Sequence, residues 1–254
     1  MKLIRREGGT AMTSDAKSSR IWEIDALRGL CIPGMIAIHL IYDLVNLYGF
    51  VDWPYPQWYS LFKNNYGALF VILSGLSVTL GRHCIRRGAE VISFGMVITA
   101  VTAAMYRFGM AGRGILIWFG VLHCIGVCMI LWPVFRKLPD RALIALSAAL
   151  ILGGWYLRTV RFGSDALMIL GLVSKHFASS DYFPLLPNLG YFLAGAVLGR
   201  TLYAEKRSLL PRLAGMPVIQ PLCAMGRHSL FIYLIHQPVL ALGCQTALLL
   251  RKLV

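Results

Sequence analysis

Residues 22–44 read WEIDALRGLCIPGMIAIHLIYDL, an apolar run that carries Asp25, Arg28, His39 and Asp43. On a helix turning about 100° per residue, with Asp25 at zero, Arg28 falls at about −60°, His39 at about −40° and Asp43 at about 0°. These four ionisable groups share one narrow face of a largely apolar helix. An ionisable group at the centre of a bilayer costs about 2.5–3.5 kcal/mol even on the mildest scale, so that face must look into a helix bundle or a wet cavity. Pro33 and Gly34 can bend the helix and open backbone carbonyls there.

Beyond this run, which extends over 27–48 as a span, six more lie at 66–82, 89–106, 115–135, 142–157, 186–203 and 229–250. Each is close to the roughly 20 residues that cross a bilayer as a helix. The expected fold is all-α: a polytopic transmembrane helix bundle of about seven spans. The stretches 165–174 and 214–226 are apolar but too short to cross, and read as re-entrant or interfacial segments. Composition agrees: 57% of the residues are hydrophobic and 14% charged, against roughly 25% charged in a soluble chain. No large water-facing domain can be built from that. Nucleic-acid binding by a folded basic domain is thereby excluded, although the net charge is +14. The sequence shows no internal repeat, Walker loop, dinucleotide fingerprint or zinc-protease motif.

The positive charge follows the loops. With the amino terminus inside, the cytoplasmic segments hold Lys2, Arg5, Arg6, Lys17 and Arg20, then Arg28, the trio Arg82, Arg86 and Arg87, the trio Arg136, Lys137 and Arg141, and Arg200, Lys206, Arg207, Arg212 and Arg227. That is 17 of the 25 basic residues, leaving 8 outside, as the positive-inside rule requires. An eighth span at 165–174 would turn the basic 200–227 segment outward, so the same count argues against it. The expected organisation is a basic cytoplasmic tail over 1–24 and a transmembrane domain over 25–254, multi-pass in the cell (plasma or inner) membrane.

Asp43 follows His39 by four residues, so the two side chains are neighbours. A carboxylate there can fix the imidazole tautomer, which is how a histidine is prepared to take a proton from an attacking hydroxyl or amine. The same pair can equally serve as a buried tie between helices. His123 and His236 occupy other spans at depths close to that of His39, so the three histidines read as packing residues, as a shared polar chamber, or as a three-histidine metal site. The last lacks a second ligand at helical spacing beside His123 or His236. Cys124 and Cys128, one turn apart beside His123, read as buried small apolar groups. No disulfides are expected, because four of the six cysteines fall within spans.

Two further features bracket the spans. The segment GFVDWPYPQWYSLF over 49–62 is dense in aromatics, either an interfacial belt or, through Trp53 and Trp58, a stacking platform for sugar rings. Asp181 and Asn188 lie where a loop enters the 186–203 span, a place for amides that orient substrates. On the opposite side Arg82, Arg86 and Arg87 serve the topology, and with Arg28 could also receive an anionic cytosolic ligand.

The motifs IDALRGLCIPGMIAIHLIYDL, YGALFVILSGLSVTLG, WFGVLHCIGV, PNLGYFLAGAVLGR and SLFIYLIHQPVL, in this order, resemble the catalytic domain of heparan-α-glucosaminide N-acetyltransferase in its bacterial form. The resemblance runs from about residue 20 to 245. An arginine and a histidine separated by ten residues in the first span, here Arg28 and His39, are also similar to the signature of the wider membrane acyltransferase-3 group. The resemblance implies a transmembrane acyltransferase that passes an acetyl group from cytosolic acetyl-CoA to an extracytoplasmic sugar acceptor. In the lysosomal enzyme the catalytic histidine is ascribed to the first luminal loop, and residues 49–65 here contain none. The acyltransferase-3 pattern therefore places the catalytic role on His39.

On this reading His39, oriented by Asp43, deprotonates the acceptor or carries the acetyl group transiently. His123, His236 or Asn188 steadies the developing oxyanion, while Arg28, Arg82, Arg86 and Arg87 hold the coenzyme phosphates. Trp53, Trp58 and Asn188 face the sugar, and no resident metal is called for. The partners are the bilayer, acetyl-CoA, the acceptor and, as a further state the sequence leaves open, other copies of the chain. The rival class is a small proton-coupled transporter or flippase, since intramembrane histidine and aspartate also build proton relays.

Overall fold

The computed structural model describes residues 21–110 and 112–253; most of the expected basic tail, residues 1–20, lies outside the described residues. Among the described residues eight α-helices follow one another: α1 Trp22–Tyr42, α2 Gln57–Val78, α3 Cys84–Arg107, α4 Val121–Phe135, α5 Asp140–Thr159, α6 Leu185–Leu202, α7 Ile219–Arg227 and α8 Ser229–Leu253. Among the described residues there is no strand. Helix α1 with its extension to Leu47, α3, α5 and α8 are each long and apolar enough to cross a membrane, and α4 is a shorter apolar helix. This is the architecture of a helical membrane protein. Each of the seven apolar runs of the sequence holds a helix, although in the 115–135 run it begins only at Val121, and α2 and α6 are interrupted by polar residues and fall outside those four.

Glycines set the closest approaches. A Cβ on Gly75 of α2 would stand 1.9 Å from the Phe192 carbonyl oxygen of α6, and one on Gly195 of α6 would stand 2.0 Å from the Ile72 carbonyl oxygen. The two backbones thus touch directly, as small residues allow in membrane helices. Helix α6 is gripped on its other side by α5, where Ser147 donates to the Gly190 carbonyl at 2.8 Å. Helices α3 and α4 cross at Gly88 and Gly126. Short α7 packs along the start of α1, with Gly226 against the Asp25 carbonyl. The main core, including Val71, Trp132, Leu143, Phe192 and Leu193, lies among α2, α4, α5 and α6. Helix α8 leans chiefly on α1 and reaches this core through Tyr233.

The structure moves four sequence boundaries. Helix α1 starts at Trp22, inside the segment expected as tail, with Glu23 buried and accepting from Ser208 Oγ and the Leu210 N–H. Helix α2 starts at Gln57 after Pro56, nine residues before the apolar run, so Trp58 and Lys63 are helical rather than in a loop. Its first turns are aromatic and polar, and hydropathy alone passes over them. The 165–174 stretch holds one 3-10 turn, Met168–Leu170, and the 214–226 stretch becomes α7. The bundle has two ends, named below for Trp22 and Trp53, which lie at opposite ends of α1.

Candidate functional site

The polar face of α1 is buried at Asp25 and Asp43 and half-buried at Arg28 and His39, and it divides between two neighbours. Near the Trp22 end, Arg28 Nη2 donates to Ser77 Oγ of α2 at 2.6 Å, and Arg28 Nη1 lies 4.0 Å from Asp25. Further along, the face meets α8. The His39 and His236 rings stand edge to face with centroids 4.8 Å apart. Asp43 is fully buried, and both its carboxylate oxygens accept from Gln237 Nε2, at 3.0 and 3.1 Å.

The expected hydrogen bond from the His39 ring to Asp43 is not among the side-chain contacts of the described residues. The backbone keeps the pair one turn apart, since the Asp43 N–H donates to the His39 carbonyl. Asp43, however, opens a π-helical turn over Asp43–Leu47, closed by Tyr48 N–H on the Asp43 carbonyl at 2.9 Å. Steps of 100° no longer apply there, and the carboxylate is turned across the seam to α8. Such turns recur at functional sites, and nothing in the hydropathy pattern marks this one.

The hydrogen bonds fix the tautomer of His236. Its Nδ1 lies 2.6 Å from the Tyr233 carbonyl, which can only accept, so Nδ1 carries the proton and Nε2 the lone pair. His236 is 7% exposed, and its Nε2 is buried without a hydrogen-bond partner among the described residues. The His39 ring nitrogens likewise have no such partner among the described residues, and this ring is only half-buried. One reachable imidazole therefore faces a second whose lone pair is uncommitted.

His123 is placed differently. Its Nδ1 accepts the Gly120 N–H at 3.2 Å, capping α4, and its Nε2 lies 3.4 Å from Thr99 Oγ1. Thr99 gives its own proton to the Ile117 carbonyl, so Nε2 is the donor to it. Both nitrogens are occupied in a structural role. Asp181 completes this end of α4: Oδ2 accepts from the Val121 N–H at 3.0 Å and from the Tyr233 hydroxyl at 3.1 Å. Loop, α4 and α8 are tied at one carboxylate, and Tyr233 is the link from it to His236. Asn188 is buried and gives its amide to the Pro184 carbonyl at 2.7 Å, at the start of its own helix.

The four arginines expected to act together are separated in role. Arg28 is engaged between α1 and α2, and Arg86 pairs with Glu90 at 3.0 Å on the surface. Arg87 is exposed beside Gly81. Arg82 lines a groove of about 230 Å³ at the Trp22 end together with Arg136, Arg200 and Trp132. Arg200 holds the turn between α4 and α5 by donating to the Arg136 and Leu138 carbonyls and to Asp140. The sequence reading passed over Arg136 and Arg200 as groove residues, because only the fold brings them to Arg82.

At the Trp53 end the aromatics cluster. Trp53 packs on Tyr55 and Tyr59 with centroids 5.6 and 5.1 Å apart, and Tyr55 stacks on Tyr59 at 5.1 Å. Trp58 is 65% exposed and touches only the edge of this cluster through Tyr59. Among the described residues no group of three or more His, Cys, Asp or Glu side chains is placed to hold a metal ion.

The matched stretch of the family described as heparan-alpha-glucosaminide N-acetyltransferase, catalytic, covers residues 20–238. It takes in α1 to α7 and closes one residue past Gln237, so His39, Asp43, His236 and Gln237 all lie within it. No curated protein and no solved structure gives a significant match. With more than four-fifths of its length matched, the chain belongs to the heparan-alpha-glucosaminide N-acetyltransferase catalytic family.

Proposed function

We propose that this membrane acetyltransferase takes an acetyl group from cytosolic acetyl-CoA and delivers it to an amino sugar or glycan on the far side, using His39 and His236 in the seam between α1 and α8. The observation that carries the reading is the pair itself: an imidazole without hydrogen-bond partners among the described residues, half-buried, against one whose Nε2 lone pair is set by the backbone. In the reaction the acceptor nitrogen or hydroxyl attacks the thioester carbonyl, a C–N or C–O bond forms, and the C–S bond breaks. The proton lost by the acceptor goes to His39 and then to the departing thiolate. His236 lies close enough to share that proton. Asp43 acts through Gln237, seating α8, rather than by orienting His39 directly.

The orientation belongs to the same proposal. The amino terminus and the Trp22 end face the cytosol, seven helices cross the plasma or inner membrane, and coenzyme phosphates meet Arg82 and Arg136 in the groove while Arg28 organises its wall. In a background without native cysteines, a membrane-impermeant thiol reagent added outside should label Gln57→Cys and spare Arg207→Cys. The opposite pattern would invert the topology.

The chemistry is tested by acetyl transfer from labelled acetyl-CoA to amino sugars, alongside coenzyme binding. His39→Ala should lose about 10²–10⁴-fold in rate, the usual worth of a general base, and still bind acetyl-CoA. An active His39→Ala protein would move the base to His236. A parent protein that binds no acetyl-CoA would favour the transporter reading instead.

A further inference from the structure

We infer that the segment joining α6 to α7, residues 203–218, is a docking surface for anionic phospholipid headgroups of the leaflet at the Trp22 end. The inference rests on the membrane architecture and is independent of the acetyltransferase chemistry. Helix α6 ends at Leu202 and α8, long and apolar enough to cross, starts at Ser229, so the chain between them lies at one end of the bundle, where helices leave a bilayer. Leu209, Leu210, Leu213, Met216 and Val218 are all exposed there, Val218 at 74%. Lys206, Arg207 and Arg212 are exposed among them. Glu205 is the one acidic residue of the segment and lies 3.6 Å from Arg207, while Lys206 and Arg212 have no acidic partner among the described residues.

The segment is held in place rather than loose. Glu23, at the start of α1, accepts from Ser208 Oγ at 2.6 Å and from the Leu210 N–H at 2.9 Å, and Trp22 Nε1 donates to Ser208 Oγ at 3.0 Å. A 3-10 turn over Pro211–Leu213 follows, and the Met216 N–H donates to the Leu213 carbonyl at 3.1 Å. These ties spend the polar groups inward on α1 and leave the aliphatic and basic side chains outside. Such a mixture suits the boundary between acyl chains and headgroups: the aliphatic groups enter the apolar layer while the long basic side chains reach back to phosphates. A zwitterionic headgroup would answer the leucines without answering the cations. A second copy presenting the same face would set like charges against each other, so charge complementarity favours an anionic lipid over a self-paired interface.

The experiment places an environment-sensitive fluorophore on Val218→Cys of the full chain, in a background without native cysteines, reconstituted in phosphatidylcholine vesicles. A small, equal fraction of brominated phosphatidylglycerol or brominated phosphatidylcholine then quenches the label by contact. Phosphatidylglycerol should quench strongly at fractions where phosphatidylcholine hardly does. Each of Lys206→Gln, Arg207→Gln and Arg212→Gln should weaken the phosphatidylglycerol affinity by about fivefold, the worth of one cation at an anionic surface. The triple variant should respond to both lipids alike and still be quenched by vesicles made wholly of brominated phosphatidylcholine, as a folded segment at the bilayer must be. Arg207→Lys with Arg212→Lys keeps the charge and should keep the preference. Equal quenching by the two lipids in the parent overturns the inference, and so does a preference that survives in the triple variant. A label quenched by neither lipid would put the segment in water and overturn it as well. Arg161→Gln, past the Trp53 end of α5, should leave the preference intact; its loss there would assign the effect to overall charge and not to this segment. Glycerol 3-phosphate in the buffer, at constant ionic strength, separates the two sources of phosphate. A preference that persists supports the lipid surface, and one that it abolishes would make the segment a site for a free phosphate ester.

Discussion

The contact of α2 with α6 and the contact of α1 with α8 solve the same problem by opposite means. In the first, Gly75 and Gly195 let two backbones meet, and the core residues Val71, Phe192 and Leu193 close around the crossing. In the second, the helices are joined by a few polar points: the imidazole pair, the Asp43–Gln237 bond and the Tyr48 hydroxyl on the Ala241 carbonyl at 3.3 Å. Lipid is as apolar as leucine, so helices in a bilayer gain little from burying hydrocarbon and must gain from close packing or from polar bonds. The first contact uses close packing and forms a rigid frame. The second uses polar bonds and leaves imidazoles with capacity to react.

That contrast predicts where substitutions act. The largest effect belongs to the frame. Gly75→Val places atoms against the Phe192 carbonyl, a backbone group that cannot turn aside, and forces α2 from α6. The expected cost exceeds about 4 kcal/mol, the range reserved for core disruption, and should abolish the folded monomer in detergent by size-exclusion chromatography. A folded, active Gly75→Val protein would show that the frame is as adjustable as the seam.

A middling effect belongs to the bond that seats α8. Asp43→Ala leaves the Gln237 amide without its acceptor in a buried place, which costs about 1–3 kcal/mol. Asp43→Asn keeps one acceptor oxygen and should cost clearly less. Thermal unfolding in one detergent measures both, with acetyl transfer in parallel. If Asp43→Asn lost activity as fully as His39→Ala while remaining as stable as the parent, the carboxylate would be acting on His39 after all, and the Gln237 bond would be secondary.

Much of this was legible in the sequence, and the misses have physical causes. Seven hydropathy runs located seven helices, and helical periodicity put Asp25, Arg28, His39 and Asp43 on one face. Periodicity says which way a side chain points; it does not choose its partner. The Asp43–Gln237 bond and the Asp181–Tyr233 bond join residues 194 and 52 positions apart, so neither leaves a local signature. His123 looked like a third member of a histidine chamber because depth was the only coordinate available. Its use as a helix cap depends on Gly120 standing three residues before it, a weak signal in a glycine-rich chain. The start of α2 was hidden because Pro56 and an aromatic, polar first turn do not resemble a membrane span.

The smallest expected effect tests how finely the seam is set. Tyr233→Phe removes one hydroxyl donor from Asp181, while the Val121 N–H still holds Oδ2 and the ring keeps its place in the core. A single net hydrogen bond is worth about 0.5–1.5 kcal/mol, so the protein should remain folded with a small drop in unfolding temperature. His236 takes its tautomer from the Tyr233 carbonyl, which the substitution leaves intact, so its Nε2 lone pair persists. What changes is the hold on the rotation of α8, and with it the edge-to-face meeting of His236 and His39. The expected outcome is a several-fold fall in kcat with KM for acetyl-CoA unchanged, since the groove of Arg82 and Arg136 lies at the other end of the bundle. A rise in KM alone would place Tyr233 beside the coenzyme rather than behind the histidine. A loss as deep as that of His39→Ala would mean that the seam tolerates no rotation, and that its few polar points are as exacting as the glycine frame.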